Sequence, residues 1–203
     1  MRRGPGDVVR LFNGHDGEWQ ARVTKIRRDQ AEFSVEALLR PQAPEPDIFL
    51  AFAPLKRDAT DLLVQKATEL GAAALLPVFS ERTNASRINL DRLRAIATEA
   101  AEQCERLTVP DIFSPVALPA LLADWPADRK LFVALERAAA PPLRPASGPV
   151  GLLIGPEGGF SPAEHETVTG KNFCHPVSLG PRVLRAETAA IVGLALLQAP
   201  GCG

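Results

Sequence analysis

Two loops near the C-terminal end hold the residues whose types and spacing suit chemistry. In "SLGPRVLRAETAA" (178–190), Arg182 and Arg185 stand three positions apart, and Glu187 and Thr188 follow where a helix opens. Cations at that spacing share a helix face and suit an anionic partner, or else they are simply solvated. In "VGLLIGPEGGFSPAEHE" (150–166) an apolar strand runs into glycines and then into a helix start. A strand-to-helix turn of that kind is where α/β proteins hold nucleotides. The spacing is not G-x-G-x-x-G, and no Gly-Lys-Ser/Thr follows. Pro156 removes an amide donor and Glu157 would repel a phosphate, so the loop suits a ligand without phosphates. Alone, "GPEGG" is a glycine-rich turn. Two glycine–proline loops at neighbouring strand ends enclose a small ligand between backbone groups and an apolar floor.

The elements around these loops follow from periodicity. "SPAE" (161–164) is a capping box, with Ser161 and Glu164 as reciprocal partners and Pro162 at the first helical position. Strands are expected at "DIFLAFA", "AALLPVF", "KLFVAL", "VGLLI" and "HPVSL", between residues 47 and 179. Helical spacing appears in "TDLLVQKATEL", stopped by Gly71, and in "NLDRLRAIATEAAEQCERL", with Leu90, Leu93, Ala97, Ala100 and Cys104 on one stripe. "AETAAIVGLALLQ" (186–198) is a helix apolar nearly all round, which its own sheet and a second subunit would cover. Alternating strands and helices imply an α/β fold with a mostly parallel sheet flanked by helices.

Residues 7–39 alternate differently, as three short strands broken at Asn13–Gly17 and Arg28–Gln30. "RPQAPEP" (40–46) is a proline-rich connector, so domains are expected at 1–43 and 47–203. Residues 1–28 hold seven basic and three acidic side chains, Arg2, Arg3 and Arg10 among them, leaving the rest of the chain at −5 for a net charge of −1. Such asymmetry marks either a nucleic-acid contact or a solvated basic face. Three cysteines, Cys104, Cys174 and Cys202, without CxxC spacing point to reduced thiols in the cytoplasm and no disulfide framework. His15, His165 and His175 are not spaced as metal ligands and read as surface or turn residues; no metal is expected. No apolar run is long enough for a membrane span and no signal core follows the N-terminal arginines.

Together "LLIGPEGGFSPAE" and "SLGPRVLRAETAAIVGLALLQ" closely resemble the C-terminal signature of the RsmE family, 16S rRNA (uracil-N3)-methyltransferases of the SPOUT superfamily. "VQKATELGAAALLPVFSERT" (64–83), "EAAEQCERLTVPDI" (99–112) and, more weakly, "GDVVRLFNG" (6–14) extend the resemblance over nearly the whole chain. It implies a SPOUT methyltransferase domain with a C-terminal trefoil knot, where the patterning alone suggests an unknotted doubly wound sheet. It also implies a PUA-like N-terminal β-barrel, a homodimer with active sites at the subunit interface, and the small ribosomal subunit as partner. Family members usually carry another strand and a basic, histidine-containing segment ahead of "RRGPGD", so the barrel is expected to be incomplete.

The resemblance assigns S-adenosylmethionine (SAM) to a pocket built by Ala134-Leu135-Glu136, "IGPEGG" and "SLGPRVLR". Gly155, Gly158, Gly159 and Gly180 would permit close backbone approach beside Pro156 and Glu157. Leu135, Ile154, Leu179, Val183 and Leu184 would contact adenine and ribose. Glu187 is a candidate base for the uracil N3 proton, and an acid in a first turn also caps a helix. Arg185 would stabilise charge developing on the uracil oxygens or hold a phosphate. Arg3, Arg10 and Arg182 are the expected RNA contacts, with Arg182 also suited to the partner subunit. The competing reading is a non-catalytic RNA-binding or ribosome-assembly factor that keeps the scaffold.

Overall fold

The computed structural model describes residues 3–85, 87–135 and 140–199; Arg2, Glu136 and Cys202 lie outside them. The chain divides into two compact units: residues up to Pro44 together with Ala101–Val109, and Glu45–Ala100 together with the rest. The segment 101–109 therefore packs with the first unit, although the connector at 40–46 had put it in the second.

The first unit is an antiparallel sheet of β1 (Val8–Phe12), β2 (Glu18–Arg27) and β3 (Gln30–Arg40) in that order. Asn13 makes the first turn, its Oδ1 accepting from the amides of His15 and Asp16 at 3.0 and 2.9 Å. This is how a short polar side chain substitutes for backbone pairing. Glu18 is buried and accepts from Arg40 Nε at 2.7 Å, with Arg10 at 3.7 Å. The Arg40 guanidinium holds the Glu18 carboxyl below its usual range, against the opposing effect of burial. Arg40 also donates to the Glu105 carbonyl at 2.9 Å, which ties 101–109 to β3.

The second unit is a parallel sheet ordered β10 (Cys174–Val177), β8 (Lys130–Ala134), β9 (Val150–Ile154), β4 (Ile48–Phe52), β5 (Ala74–Phe79), β6 (Asp111–Ile112), with β7 (Val116–Ala117) beyond β6 along β5. All its pairings are parallel, as the βα alternation predicts. Successive residues of central strand β9 serve opposite faces. Leu152 enters a core shared with Leu50, Leu63, Leu194 and Leu197, and Leu153 enters one with Val78, Leu121, Leu122 and Trp125. The first face is covered by α1 (Arg57–Glu69), α2 (Leu90–Gln103) and α5 (Ala186–Gln198); the second takes α3 (Leu118–Asp124) and α4 (Pro162–Thr169).

On α2, Leu93, Ala97 and Ala100 are buried as the stripe predicts, but Leu90 is only half-buried and Cys104, past the helix end, is exposed. β6, β7 and α3 had no counterpart in the sequence reading, because each is too short to show a period. At the amino ends of the strands, Arg129 grips both Asp47 carboxylate oxygens at 2.9 and 2.7 Å and lies 3.7 Å over the Phe49 ring. That bidentate, ring-stacked geometry is specific to arginine. No described helix is long and apolar enough to cross a membrane.

Candidate functional site

A parallel sheet delivers every strand's carboxyl end, and the loop that follows it, to one edge. Here the ends of β8, β9 and β10, adjacent in the sheet, surround a cavity of about 640 Å³. Ala134 and Leu135 come from the first strand end, Ile154 to Pro156 from the second, and Val177 to Leu179 from the third. The size lies within the roughly 300–1,000 Å³ of small-molecule sites.

Local chemistry shapes the two loops. After β9, the Gly159 amide donates to the Pro156 carbonyl at 2.9 Å, a turn that Gly159 completes at φ +66°. The Phe160 ring folds back against Gly155, where an added Cβ would meet it at 3.0 Å. The capping box then starts α4: Glu164 N donates to Ser161 Oγ at 3.2 Å, and Ser161 N to Glu164 Oε2 at 2.9 Å. After β10, Ser178 Oγ accepts from the Gly180 amide at 3.2 Å, and Gly180 turns at φ +127°, a conformation that side chains disfavour. This turn lifts Val183 to the rim, where it is 56% exposed.

Most residues singled out in the sequence converge on this cavity. Leu135, Ile154, Gly155, Pro156, Glu157, Gly159, Leu179, Gly180, Val183 and Leu184 line it, and so does Arg182, expected at RNA or a partner subunit. Gly158 does not line it; a Cβ there would meet only the Arg82 side chain, at 3.5 Å, so its proposed role in close backbone approach has no support in this geometry. Arg185 is the exposed N-cap of α5 and Glu187 is half-buried in its first turn, and neither is in the lining. Arg3 and Arg10 are exposed in the first unit, Arg10 beside Glu18. Arg22 and Lys25 on β2 also face acids, Glu36 at 2.7 Å and Glu32 at 3.9 Å, so the basic N-terminal stretch is partly neutralised.

His165, expected as a surface or turn residue, is exposed and also lines the cavity from the first turn of α4. The signal available was its place one residue past the capping box, on the turn that faces back to the loop. Phe160 and Ser178 were also not anticipated, since their roles depend on how neighbouring strand ends meet. Cys174 is buried, and burial pushes its thiol up to about 11, against a smaller pull from Lys171, which disfavours the thiolate. No three His, Cys, Asp or Glu side chains cluster as metal ligands among the described residues.

The family model of an RNA methyltransferase domain matches residues 42–198, and that of an RNA methyltransferase PUA domain matches residues 1–36. The chain is 31% identical over 208 residues to ribosomal RNA small subunit methyltransferase E of Rickettsia conorii, covering 99% of this chain and 84% of that one. The chain belongs to the ribosomal RNA small subunit methyltransferase E family. The family's protein from Synechocystis is 32% identical, with 98% and 68% covered. Among solved structures, a putative methyltransferase from Legionella pneumophila in complex with SAM superposes with a TM-score of 0.85 at 33% identity, covering 97% of this chain and 84% of that one. The family member from Neisseria gonorrhoeae, bound to SAM, gives 0.80 at 30%, covering 95% and 82%. A TrmH/SpoU tRNA modifying enzyme from Aquifex aeolicus, at 16% identity and a TM-score of 0.51 over 76% of this chain and 75% of that one, shares the fold alone.

Proposed function

We propose that this chain is a SAM-dependent methyltransferase that modifies N3 of a uridine in the 16S rRNA of the small ribosomal subunit. The observation that carries this reading is the cavity at the ends of β8, β9 and β10, in a chain similar throughout its length to proteins solved with that cofactor. The residues fit the ligand. The lining is mainly apolar and backbone, as adenine and ribose require, and Gly180 at φ +127° leaves open space where a side chain would stand. Leu135, Ile154, Leu179, Val183 and Leu184 would sandwich the ring system, and the 155–159 and 179–184 backbones would supply its hydrogen bonds.

When bound, SAM supplies an electrophilic methyl group on a sulfonium. The protein's part is to hold the uracil edge in line and to manage one proton and one charge. Glu187 takes the N3 proton, and Arg185 neutralises the charge spread onto the uracil oxygens. Arg182, at the cavity mouth, and the basic side chains Arg3 and Arg10 meet the RNA backbone. We assign RNA binding to 1–43 together with the 101–109 segment that packs there, and methyl transfer to the rest of 47–203. Such a substrate is met in the cytoplasm.

Two features of the family reading join the proposal. The chain is a homodimer, supported by α5, whose Ile191, Val192 and Leu196 stay partly exposed, and by Leu62 of α1, 40% exposed. It is also knotted at its C-terminal end; the return of the chain from edge strand β10 to α5, which packs on β9, is compatible with this.

The test is methyl transfer to small ribosomal subunits, with the product mapped. A single N3-methyluridine is expected; cofactor binding with every such substrate unmodified would overturn the assignment. Arg185→Ala should lower turnover more than cofactor affinity, and equal losses would remove Arg185 from the reacting centre.

A further inference from the structure

The residues that shape the cavity wall are not all in the cavity. The turn after β5, Ser80–Thr83, closes on itself: Ser80 N donates to Thr83 Oγ1 at 2.9 Å, and Thr83 N to the Ser80 carbonyl at 3.1 Å. From this turn two contacts reach the loop after β9. Arg82 NH1 donates to the carbonyls of Gly158 at 2.9 Å and Phe160 at 3.4 Å. The Glu81 amide donates to Glu164 Oε1 at 2.8 Å.

Glu164 is thus divided between two tasks. Its Oε2 closes the capping box on Ser161, as in any helix start of this kind, while its Oε1 takes an amide 83 positions earlier in the chain. The carboxylate is 8% exposed, so both of its hydrogen bonds are made in a place where losing one is costly. The geometry is possible because β5 and β9 are parallel and separated only by β4, so their carboxyl ends and following loops share one edge.

Phe160, between Gly158 and the cap, is itself part of the cavity lining. A glycine-rich loop with Pro156 and only one internal hydrogen bond has few means of holding its own shape. Contacts from a rigid neighbouring turn remove that freedom before any ligand arrives, and affinity gains by the ordering cost that is avoided.

We infer that Arg82 is a positioning residue, which by holding the Gly158 and Phe160 carbonyls fixes the Gly159–Phe160 wall of the cavity in its ligand-ready form. The inference rests on the SAM reading for its consequence but not for its geometry. Arg82 is exposed and outside the cavity lining, so it acts through the loop.

The experiment joins two readouts on wild type, Arg82→Ala and Arg82→Lys. Amide hydrogen exchange without cofactor is expected to accelerate at 158–161 in Arg82→Ala and to stay unchanged in the strands. Calorimetry with SAM should show affinity reduced on the order of tenfold, the scale of losing a charge-assisted hydrogen bond together with preorganisation. The KM for the cofactor should rise more than kcat falls, and Arg82→Lys, with one ammonium for two carbonyls, should recover part of the loss. Unchanged exchange at 158–161 in Arg82→Ala overturns the inference. So does unchanged SAM affinity in a variant whose only loss is turnover on RNA, which would make Arg82 an RNA contact instead. Failure of the wild type to bind SAM would sink the cofactor reading alone, since the exchange result stands without it.

Discussion

At the scale of single residues, the site depends on a few backbone positions more than on reactive side chains. Gly180 is the clearest. Its φ of +127° lets the chain reverse after β10, with Ser178 bracing the turn and Val183 raised to the rim. Gly180→Val should cost about 1–3 kcal/mol in backbone strain. It should also weaken SAM binding severalfold, measured by thermal melting and calorimetry, whereas Gly158→Ala should leave both nearly unchanged. The contrast was only half visible in the sequence. All four loop glycines look alike in "GPEGG" and "LGPR", and only the fold shows that Gly158 faces Arg82 while its neighbours face the cavity. His165 is exposed, as expected of a surface residue, but its place beside the cavity has no local signal: one side chain in the first turn of a helix has no address until the loop before it is placed.

At the scale of elements, local physics was easiest to read. The helix Ala186–Gln198 and the Ser161–Glu164 capping box stand where their sequences put them, because caps and apolar runs act within a few residues. What the sequence did not show is how tightly these elements meet. Gly193, in the middle of α5, faces β9, and an added Cβ would come within 2.5 Å of Leu152 Cδ2. In an exposed helix, glycine to alanine would add roughly 0.5–1 kcal/mol of stability. Here Gly193→Ala should instead destabilise by about 1–3 kcal/mol through overpacking, measured by chemical denaturation. α3 shows the opposite limit. At seven residues, with a proline in its first turn, it owes its existence to Leu118, Leu121 and Leu122 meeting the sheet, a cause that no window of sequence contains.

At the scale of the whole molecule, the parallel sheet converts sequence order into a site by bringing loops from distant segments to one edge. A ligand that bridges those loops binds only the folded state, so it stabilises by mass action. SAM at a hundred times its Kd contributes about 2.7 kcal/mol. For a chain of this size that should raise the melting midpoint by roughly 5–10 °C, read by calorimetry with and without the cofactor. No shift at saturating cofactor would contradict a cavity built from three strand ends. The alternation of strands and helices made the sheet legible in advance. The division into units was legible only at its first boundary, the proline-rich connector, because nothing local in "AEQCERLTV" announces that it leaves the helix to join β3.

That detour has a consequence for how the protein is made. Arg40 waits for a carbonyl at Glu105, and the first unit is not complete until Val109 has been added. Domains usually fold in the order in which they leave the ribosome. Here the N-terminal sheet emerges early yet lacks its closing segment while Glu45–Ala100, with β4, α1 and β5, is synthesised behind it. The two units are therefore timed together on the nascent chain, and cutting at the connector would not release a finished N-terminal module.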